Sequence, residues 1–148
     1  MKTPMKHLFI CAAMVLGASG FAGADERENG CTLKTLRGTY VFSATGFNIV
    51  AGVAQPKAIV EVIDFNGDGT LTVPAATRSV NGVIARSLPG GFGTYTVQDD
   101  CTGTITFDGP TFDTFISRHG DTMFMIQTNP NTVFQGATIR MSRAPDRH

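Results

Sequence analysis

Short runs of β-branched and aromatic residues, many of them alternating with polar residues, follow one another along nearly the whole chain after residue 30. Alternation with a period of two is typical of a strand that buries one face. Nine runs therefore predict strands, at residues 39–43, 58–65, 70–73, 83–86, 94–97, 104–107, 112–117, 122–128 and 138–142. Turn-forming pairs such as Asn66-Gly67 and Asn81-Gly82 separate the runs. No segment of about 10–12 residues has the apolar spacing of a helix, so the pattern predicts an all-β protein.

The short connections between these runs predict an antiparallel meander. A meander of this length leaves exposed edge strands unless it closes, so we expect a roughly eight-stranded β-barrel with one extra terminal strand. A two-sheet β-sandwich is the alternative. Threonine recurs in the runs at positions that alternate with large apolar residues, which indicates that one face of the sheet is solvated and the other is packed.

The beginning of the chain has a different pattern. Lys2 and Lys6 precede an apolar run at residues 8–18, and Ala22-Gly23-Ala24 has the small-x-small pattern of a cleavage site. This order predicts a secretory signal peptide over residues 1–24 and one β-barrel domain over residues 25–148, in a secreted or periplasmic protein. The apolar run is too short for a membrane-spanning helix, and we expect no membrane span after cleavage.

Two of the three cysteines, Cys31 and Cys101, lie beyond the predicted signal peptide. In an exported protein the default expectation is that they form a disulfide bond. Such a bond closes a loop of about 70 residues and stabilises the fold by ~4 kcal/mol in the chain-entropy model. Two free thiols with a redox or nucleophilic role are the alternative, although no CxxC pattern supports it.

Charge and motif content exclude several function classes. The whole chain has 12 basic and 12 acidic residues without a basic block, so we expect no nucleic-acid partner. Beyond residue 24 the only histidines are His119 and His148, and neither has a second ligand at zinc-binding spacing. No nucleophile elbow, phosphate-binding glycine loop or HExxH motif is present. We therefore expect no cofactor and no metal.

The stretch DFNGDG, residues 64–69, begins like the calcium loop of an EF-hand. The position where that loop requires a bidentate glutamate falls on Ala75, and the flanks AIVEVI and TLTV are strand-like rather than helical. We expect a hairpin turn here, with weak calcium binding as the alternative.

Several polar residues lie within otherwise apolar or β-branched runs. Glu61 lies between two valines and shares a strand face with Ile59 and Ile63. If that face lines a barrel interior, the carboxylate is buried and its pKa rises unless a cation pairs with it. Arg78 and Arg86 flank a predicted two-residue turn, which would send them to opposite faces of the hairpin, so at most one points inward.

The candidate ligand-binding residues are Glu61, Arg86, Tyr40 and Tyr95. An inward glutamate and arginine could bind a small oxygenated ligand, and a tyrosine hydroxyl could donate to a carbonyl group. The alternatives are a structural ion pair, arginines that face solvent, and tyrosines that pack their rings and leave the hydroxyl solvated. No catalytic residue is assigned.

The motifs LRGTYVFSATGF, VIDFNGDGTLT, SVNGVIARS and GTYTVQDDCTGTITF follow one another in this order. This chain resembles a group of small exported bacterial proteins of unassigned function that carry such Gly-Thr-Tyr and Asp-Cys-Thr-Gly signatures. Its layout is also similar to that of calycin-type barrels, particularly those like allene oxide cyclase. That resemblance implies a barrel that binds an apolar ligand or guides a cyclisation. The absence of tryptophan argues against a true lipocalin.

We therefore expect a barrel that binds a small, mostly apolar molecule in its interior. Two alternatives remain open. One is a cyclase or isomerase that uses Glu61 as acid or base, and the other is a structural or interaction module with a filled core. A cavity of about 300 Å³ or more would favour binding over the filled core.

Overall fold

The computed structural model describes residues 30–87 and 91–143. The predicted signal peptide lies outside these residues. A short 3₁₀ helix, Leu33–Leu36, precedes nine strands in the described part of the chain. The strands are β1 Gly38–Val50, β2 Val53–Phe65, β3 Thr70–Val80, β4 Val83–Ser87, β5 Gly91–Val97, β6 Thr102–Phe107, β7 Thr111–Ile116, β8 Thr122–Gln127 and β9 Thr132–Ser142. Each of the nine predicted strands is confirmed.

The strands form one closed antiparallel barrel. Eight of them pair in the order β2-β1-β9-β8-β7-β6-β5-β3, and an additional β2–β3 ladder closes the ring. Strand β4 lies outside the ring and pairs only with the second half of β3, whereas β5 pairs with the first half. The predicted barrel is therefore confirmed, and the sandwich is not formed. The expectation that the extra strand would be a terminal one is wrong, because β4 belongs to an internal hairpin.

Four strands, β1, β2, β3 and β9, are longer than the sequence pattern predicted by five residues or more. Strand β2 begins at Val53 rather than at residue 58, and Pro56 lies within it. Proline lacks the amide hydrogen that a central strand needs, which is why the pattern placed the strand start after it. The structure accommodates Pro56 because β2 at this point has a ladder partner only on the β1 side, since the pairing with β3 starts at Lys57.

The barrel interior is filled by large apolar side chains for most of its length. Tyr40, Phe42, Ile63, Phe65 and Ile105 are all at most 2% exposed. Aromatic rings meet edge to face, with centroid separations of 5.1 Å for Tyr40–Phe65 and 5.9 Å for Phe42–Phe112. Such contacts add to the stability gained from burial.

The 3₁₀ helix covers one end of the barrel. Its Leu36 is fully buried in the core. The Cys31–Cys101 disulfide, with Cα atoms 4.9 Å apart, ties the segment before the helix to the β5–β6 turn, which confirms the predicted bond. Arg140 of β9 donates to the Tyr40 hydroxyl and to the carbonyl oxygen of Thr35 in the helix. This end of the barrel is closed, so any interior site must open at the other end.

Candidate functional site

A cavity of about 340 Å³ opens at the end of the barrel opposite the 3₁₀ helix. We call it the mouth cavity. Strands β1, β2, β3, β5, β6, β7 and β9 and the β6–β7 turn contribute to it. It is lined by Phe42, Lys57, Ile59, Glu61, Val73, Ala76, Arg78, Gly91, Phe92, Phe107, Asp108, Pro110, Phe112 and Phe134.

The mouth cavity has one charged wall and one aromatic wall. Lys57 and Glu61 of β2 and Arg78 of β3 form the charged wall around Ile59. Phenylalanine rings from other strands of the ring form the aromatic wall: Phe42, Phe92, Phe107, Phe112 and Phe134. The two walls adjoin, because Phe42 is the strand neighbour of Glu61 and the Phe134 ring lies against Lys57. Charged and aromatic groups thus share one small space, as in sites that orient an amphipathic ligand.

Glu61 is the deepest charged group of the mouth cavity. It is 9% exposed and lies between Phe42 of β1 and Ala76 of β3, its partners in the two flanking strands. No described residue forms a hydrogen bond to its carboxylate. Burial raises the pKa of Glu61 from 4.5 to about 7, and the charge of Lys57 only partly opposes this rise. The sequence prediction of an inward glutamate with a raised pKa is therefore in agreement with the geometry.

Lys57 is half-buried four residues before Glu61 on the same face of β2. Its Nζ atom lies 4.1 Å from the centroid of the Phe134 ring and donates a hydrogen bond to Gln127 Oε1 at 3.2 Å. Burial, with the nearby charge of Arg78, lowers the pKa of Lys57. The ammonium group is held over the aromatic wall rather than in solvent, where it would be fully hydrated.

A β-bulge in β3 brings Arg78 to the mouth cavity. Between the pairs Val62–Ala75 and Asp64–Thr72, β2 has one residue and β3 has two. The extra residue shifts the inward positions of β3 from odd numbers, as at buried Val73, to even numbers, as at Ala76 and Arg78. Arg78 thereby lines the rim.

Arg86 does not line the mouth cavity. It lies on β4 opposite Thr77 and is exposed, on the face of the hairpin opposite to that of Arg78. The predicted pairing of the hairpin is confirmed, and so is its consequence that only one of the two arginines points inward. The inward arginine is Arg78, whereas the candidate chosen from the sequence was Arg86.

Tyr40 and Tyr95 lie at the closed end, away from the mouth cavity. The Tyr40 hydroxyl donates to the carbonyl oxygen of Gly120 at 2.6 Å, and the Tyr95 hydroxyl donates to that of Leu33 at 3.0 Å. Burial raises the pKa of both phenols, and Arg140 opposes the rise at Tyr40. Both hydroxyls form hydrogen bonds to the segments that close this end of the barrel. The two tyrosines are therefore not part of the same site as Glu61.

The DFNGDG stretch forms the β2–β3 hairpin turn. The Asp68 carboxylate accepts hydrogen bonds from the backbone amide and the hydroxyl of Thr70, and Asp64 accepts one from the Thr39 hydroxyl. The same pattern recurs where Asp100 accepts from Thr102 at the start of β6. These are turns in which an aspartate caps the backbone locally. Within residues 30–87 and 91–143, no cluster of three or more His, Cys, Asp or Glu side chains could hold a metal ion.

The candidate residues chosen from the sequence did not include Lys57, and of the two hairpin arginines they included Arg86 rather than Arg78. Lys57, Ile59 and Glu61 alternate on one strand face, and this signal was available. It was lost because the predicted strand began after Pro56. The inward orientation of Arg78 depends on the bulge, for which the sequence has no comparably clear signal.

Two other depressions have volumes of about 750 and 690 Å³, and both are lined by residues of β1, β8 and β9. The larger also reaches β2, β3 and Gly82, and it shares Lys57 and Phe134 with the mouth cavity. Phe47, Phe115 and Phe124 form apolar ridges beside them. Neither depression contains an acidic side chain. The mouth cavity differs from both because it contains a buried carboxyl group, that of Glu61.

Comparison with known proteins identifies no relative: no family model, no curated protein and no solved structure matches this chain. In the described part of the chain, no helix has the length and apolar character needed to cross a membrane.

Proposed function

We propose that this protein binds a small, mostly apolar molecule in the mouth cavity. The observation that supports this most directly is the buried carboxylate of Glu61, which has no hydrogen-bond partner among the described residues and faces a space lined largely by apolar side chains. Removing most of the hydration of a carboxylate without a partner disfavours its charged form, as the raised pKa of Glu61 reflects. A ligand that hydrogen-bonds to Glu61 would offset this cost.

The size and lining of the cavity support the same proposal. A volume of about 340 Å³ is at the lower end of the range of small-molecule sites, ~300–1,000 Å³. A structural module with a filled core has no need for such a space beside an unpaired carboxylate. The cavity thus favours binding over the filled-core alternative.

We further propose that the protein is exported and acts in a secreted or periplasmic setting, as the sequence resemblance to small exported bacterial proteins implies. The Cys31–Cys101 disulfide supports this, because such bonds persist in oxidising compartments.

A pair of alanine variants tests the binding proposal. Ala76 lines the mouth cavity opposite Glu61, whereas its neighbour Ala75 is exposed on the other face of β3. Ala76→Phe should fill the cavity, and Ala75→Phe should leave it open. Native mass spectrometry of protein purified from its natural compartment should show a co-purified small molecule on the wild type and on Ala75→Phe, and not on Ala76→Phe. An unliganded wild type from several growth conditions, or a ligand retained equally by both variants, would contradict the proposal.

An isomerase or cyclase activity is the second candidate. The observation that favours it is the pKa of Glu61 near 7, which is suited to proton transfer at neutral pH. Once the ligand is identified, Glu61→Gln should bind it with little loss and convert it at least ~100-fold more slowly. Equal turnover by the two proteins would exclude Glu61 as the acid or base.

A further inference from the structure

The charges around Ile59 indicate what kind of ligand the mouth cavity accepts. Lys57, Ile59 and Glu61 are successive inward positions of β2, so the two charged residues flank Ile59 at about 7 Å on either side. Arg78 is the direct partner of Ile59 on β3, where opposed Cβ atoms lie ~5 Å apart. Two cations and one buried carboxyl group therefore surround a single apolar side chain.

We propose that the ligand is a small monocarboxylate, whose carboxylate group lies over Ile59 between Lys57 and Arg78 and accepts a hydrogen bond from protonated Glu61, and that binding weakens as the pH rises. This inference rests on the proposed function and specifies the chemistry of the ligand and its control by pH.

The two cations have no close anionic partner. Neither Lys57 nor Arg78 forms an ion pair with a described residue; the charge of Arg78 helps to lower the pKa of Lys57, and only the more distant Glu61, when ionised, opposes this. The like charges of half-buried Lys57 and exposed Arg78 repel each other, and an anion between them removes that repulsion. A cationic ligand would increase it, so the rim selects against amines.

Glu61 sets the pH dependence. The charged side chains that line the mouth cavity in the described residues are Lys57 and Glu61 from β2, Arg78 from β3 and Asp108 from the β6–β7 turn; β1, β5, β7 and β9 contribute only apolar residues and a glycine. Asp108 and Arg78 are both exposed, so solvent screens their charges at the rim, whereas Lys57 is half-buried and Glu61 is buried. With Glu61 protonated, the carboxyl group donates to a bound carboxylate. Once Glu61 ionises, two carboxylates face each other in a partly desolvated space and repel.

The opposite wall determines the apolar part of the ligand. Phe107 and Phe112 meet edge to face at 5.9 Å, and Phe112 also contacts Phe42 at 5.9 Å. These rings offer faces and edges against which a compact ring packs well. An aromatic or alicyclic acid thus fits both walls.

Three isosteric probes distinguish the contribution of the headgroup charge to affinity from the contribution of the ring. Benzoate, benzamide and benzamidinium share one ring and one planar headgroup, and they differ in charge. In calorimetric titrations at pH 6, benzoate should bind about tenfold or more tightly than benzamide, and benzamidinium should bind weakest. At pH 8 the advantage of benzoate should shrink. Glu61→Gln should keep benzoate binding and lose its pH dependence, because an amide donates a hydrogen bond at any pH.

Arginine variants provide the matched control. Arg78→Leu should reduce benzoate affinity to about that of benzamide, whereas Arg86→Leu, on the outward face of the same hairpin, should leave it unchanged. If benzamide or benzamidinium binds as well as benzoate, or if Arg86→Leu weakens benzoate as much as Arg78→Leu, the carboxylate inference is wrong and the proposed cavity still stands. If none of the probes binds and the natural protein carries no ligand that Ala76→Phe displaces, the proposed function itself is wrong.

Discussion

Glu61 shows how one residue acquires unusual chemistry from its position in a strand. Alternation with Ile59 and Ile63 directs its side chain to the barrel interior, where the charged form loses most of its contact with water. Among the described residues, the cation that opposes this effect is Lys57, four residues earlier, and burial outweighs its attraction. The protonated form is therefore favoured in the folded protein up to near-neutral pH.

The raised pKa of Glu61 predicts that the folded protein loses stability as the pH rises. In the unfolded chain Glu61 ionises near pH 4.5, whereas in the fold it ionises at about 7. Between these values the folded state binds more protons, so the contribution of Glu61 to the free energy of unfolding falls by ~1.4 kcal/mol per pH unit, and by about 3 kcal/mol at most. Above about pH 7 this loss is complete. Denaturant unfolding of the wild type and Glu61→Gln across pH 4 to 8 measures it.

Glutamine is isosteric and does not titrate, so the Glu61→Gln variant should lack this part of the pH dependence and should exceed the wild type in stability at pH 8. Parallel curves for the two proteins would show that Glu61 ionises in the fold as it does in water.

At the scale of an element, the connections of the barrel differ in how closely they pack. Gly82 in the β3–β4 turn and Gly120 in the β7–β8 turn both have positive φ, of 81° and 67°. A Cβ atom on Gly82 would meet no atom within 4 Å, whereas one on Gly120 would collide with the carbonyl oxygen of Thr35 in the 3₁₀ helix. The β3–β4 turn requires glycine only because of its positive φ. The β7–β8 turn also requires it because the 3₁₀ helix packs closely against Gly120.

A matched pair of glycine variants tests this difference. Gly82→Ala should lower the free energy of unfolding by about 1 kcal/mol, the cost of a left-handed backbone for alanine. Gly120→Ala should cost several kcal/mol, because the added methyl group also displaces the helix or the turn. Chemical denaturation of both variants gives the comparison. Similar losses for the two would mean that the β7–β8 turn does not hold the helix in place.

At the scale of the whole molecule, local pattern and long-range pairing contribute separate information. Alternation and turn residues predicted all nine strands, because each depends only on neighbouring residues. Whether the ends of the meander meet depends on the β2–β3 ladder and on the twist of the complete sheet, and neither can be inferred from the sequence of a single strand.

The mouth cavity could be predicted only in part, because some of its features also depend on long-range pairing. Glu61 follows from alternation, whereas Arg78 depends on a bulge opposite β2, and the tyrosine hydroxyls depend on where the 3₁₀ helix docks.

The disulfide acts on the molecule as a whole, because it joins the segment before the 3₁₀ helix to a turn 70 residues later in the sequence. Closing a loop of this length reduces the entropy of the unfolded chain, so the double variant Cys31→Ser, Cys101→Ser should lose ~4 kcal/mol of stability, within a typical range of about 2–5 kcal/mol. Denaturant unfolding monitored by circular dichroism measures this loss, and a reducing agent should lower the wild type to the level of the variant without changing the variant.

The disulfide does not involve β2 or β3, whose ladder closes the ring. The native circular dichroism spectrum should therefore persist in the variant below its unfolding transition. The mouth cavity opens at the far end of the barrel from the disulfide, and benzoate affinity should therefore be preserved where the variant is folded. Loss of the native spectrum in the absence of denaturant would show that strand pairing alone does not keep the barrel closed and that the bond between Cys31 and Cys101 is required for it.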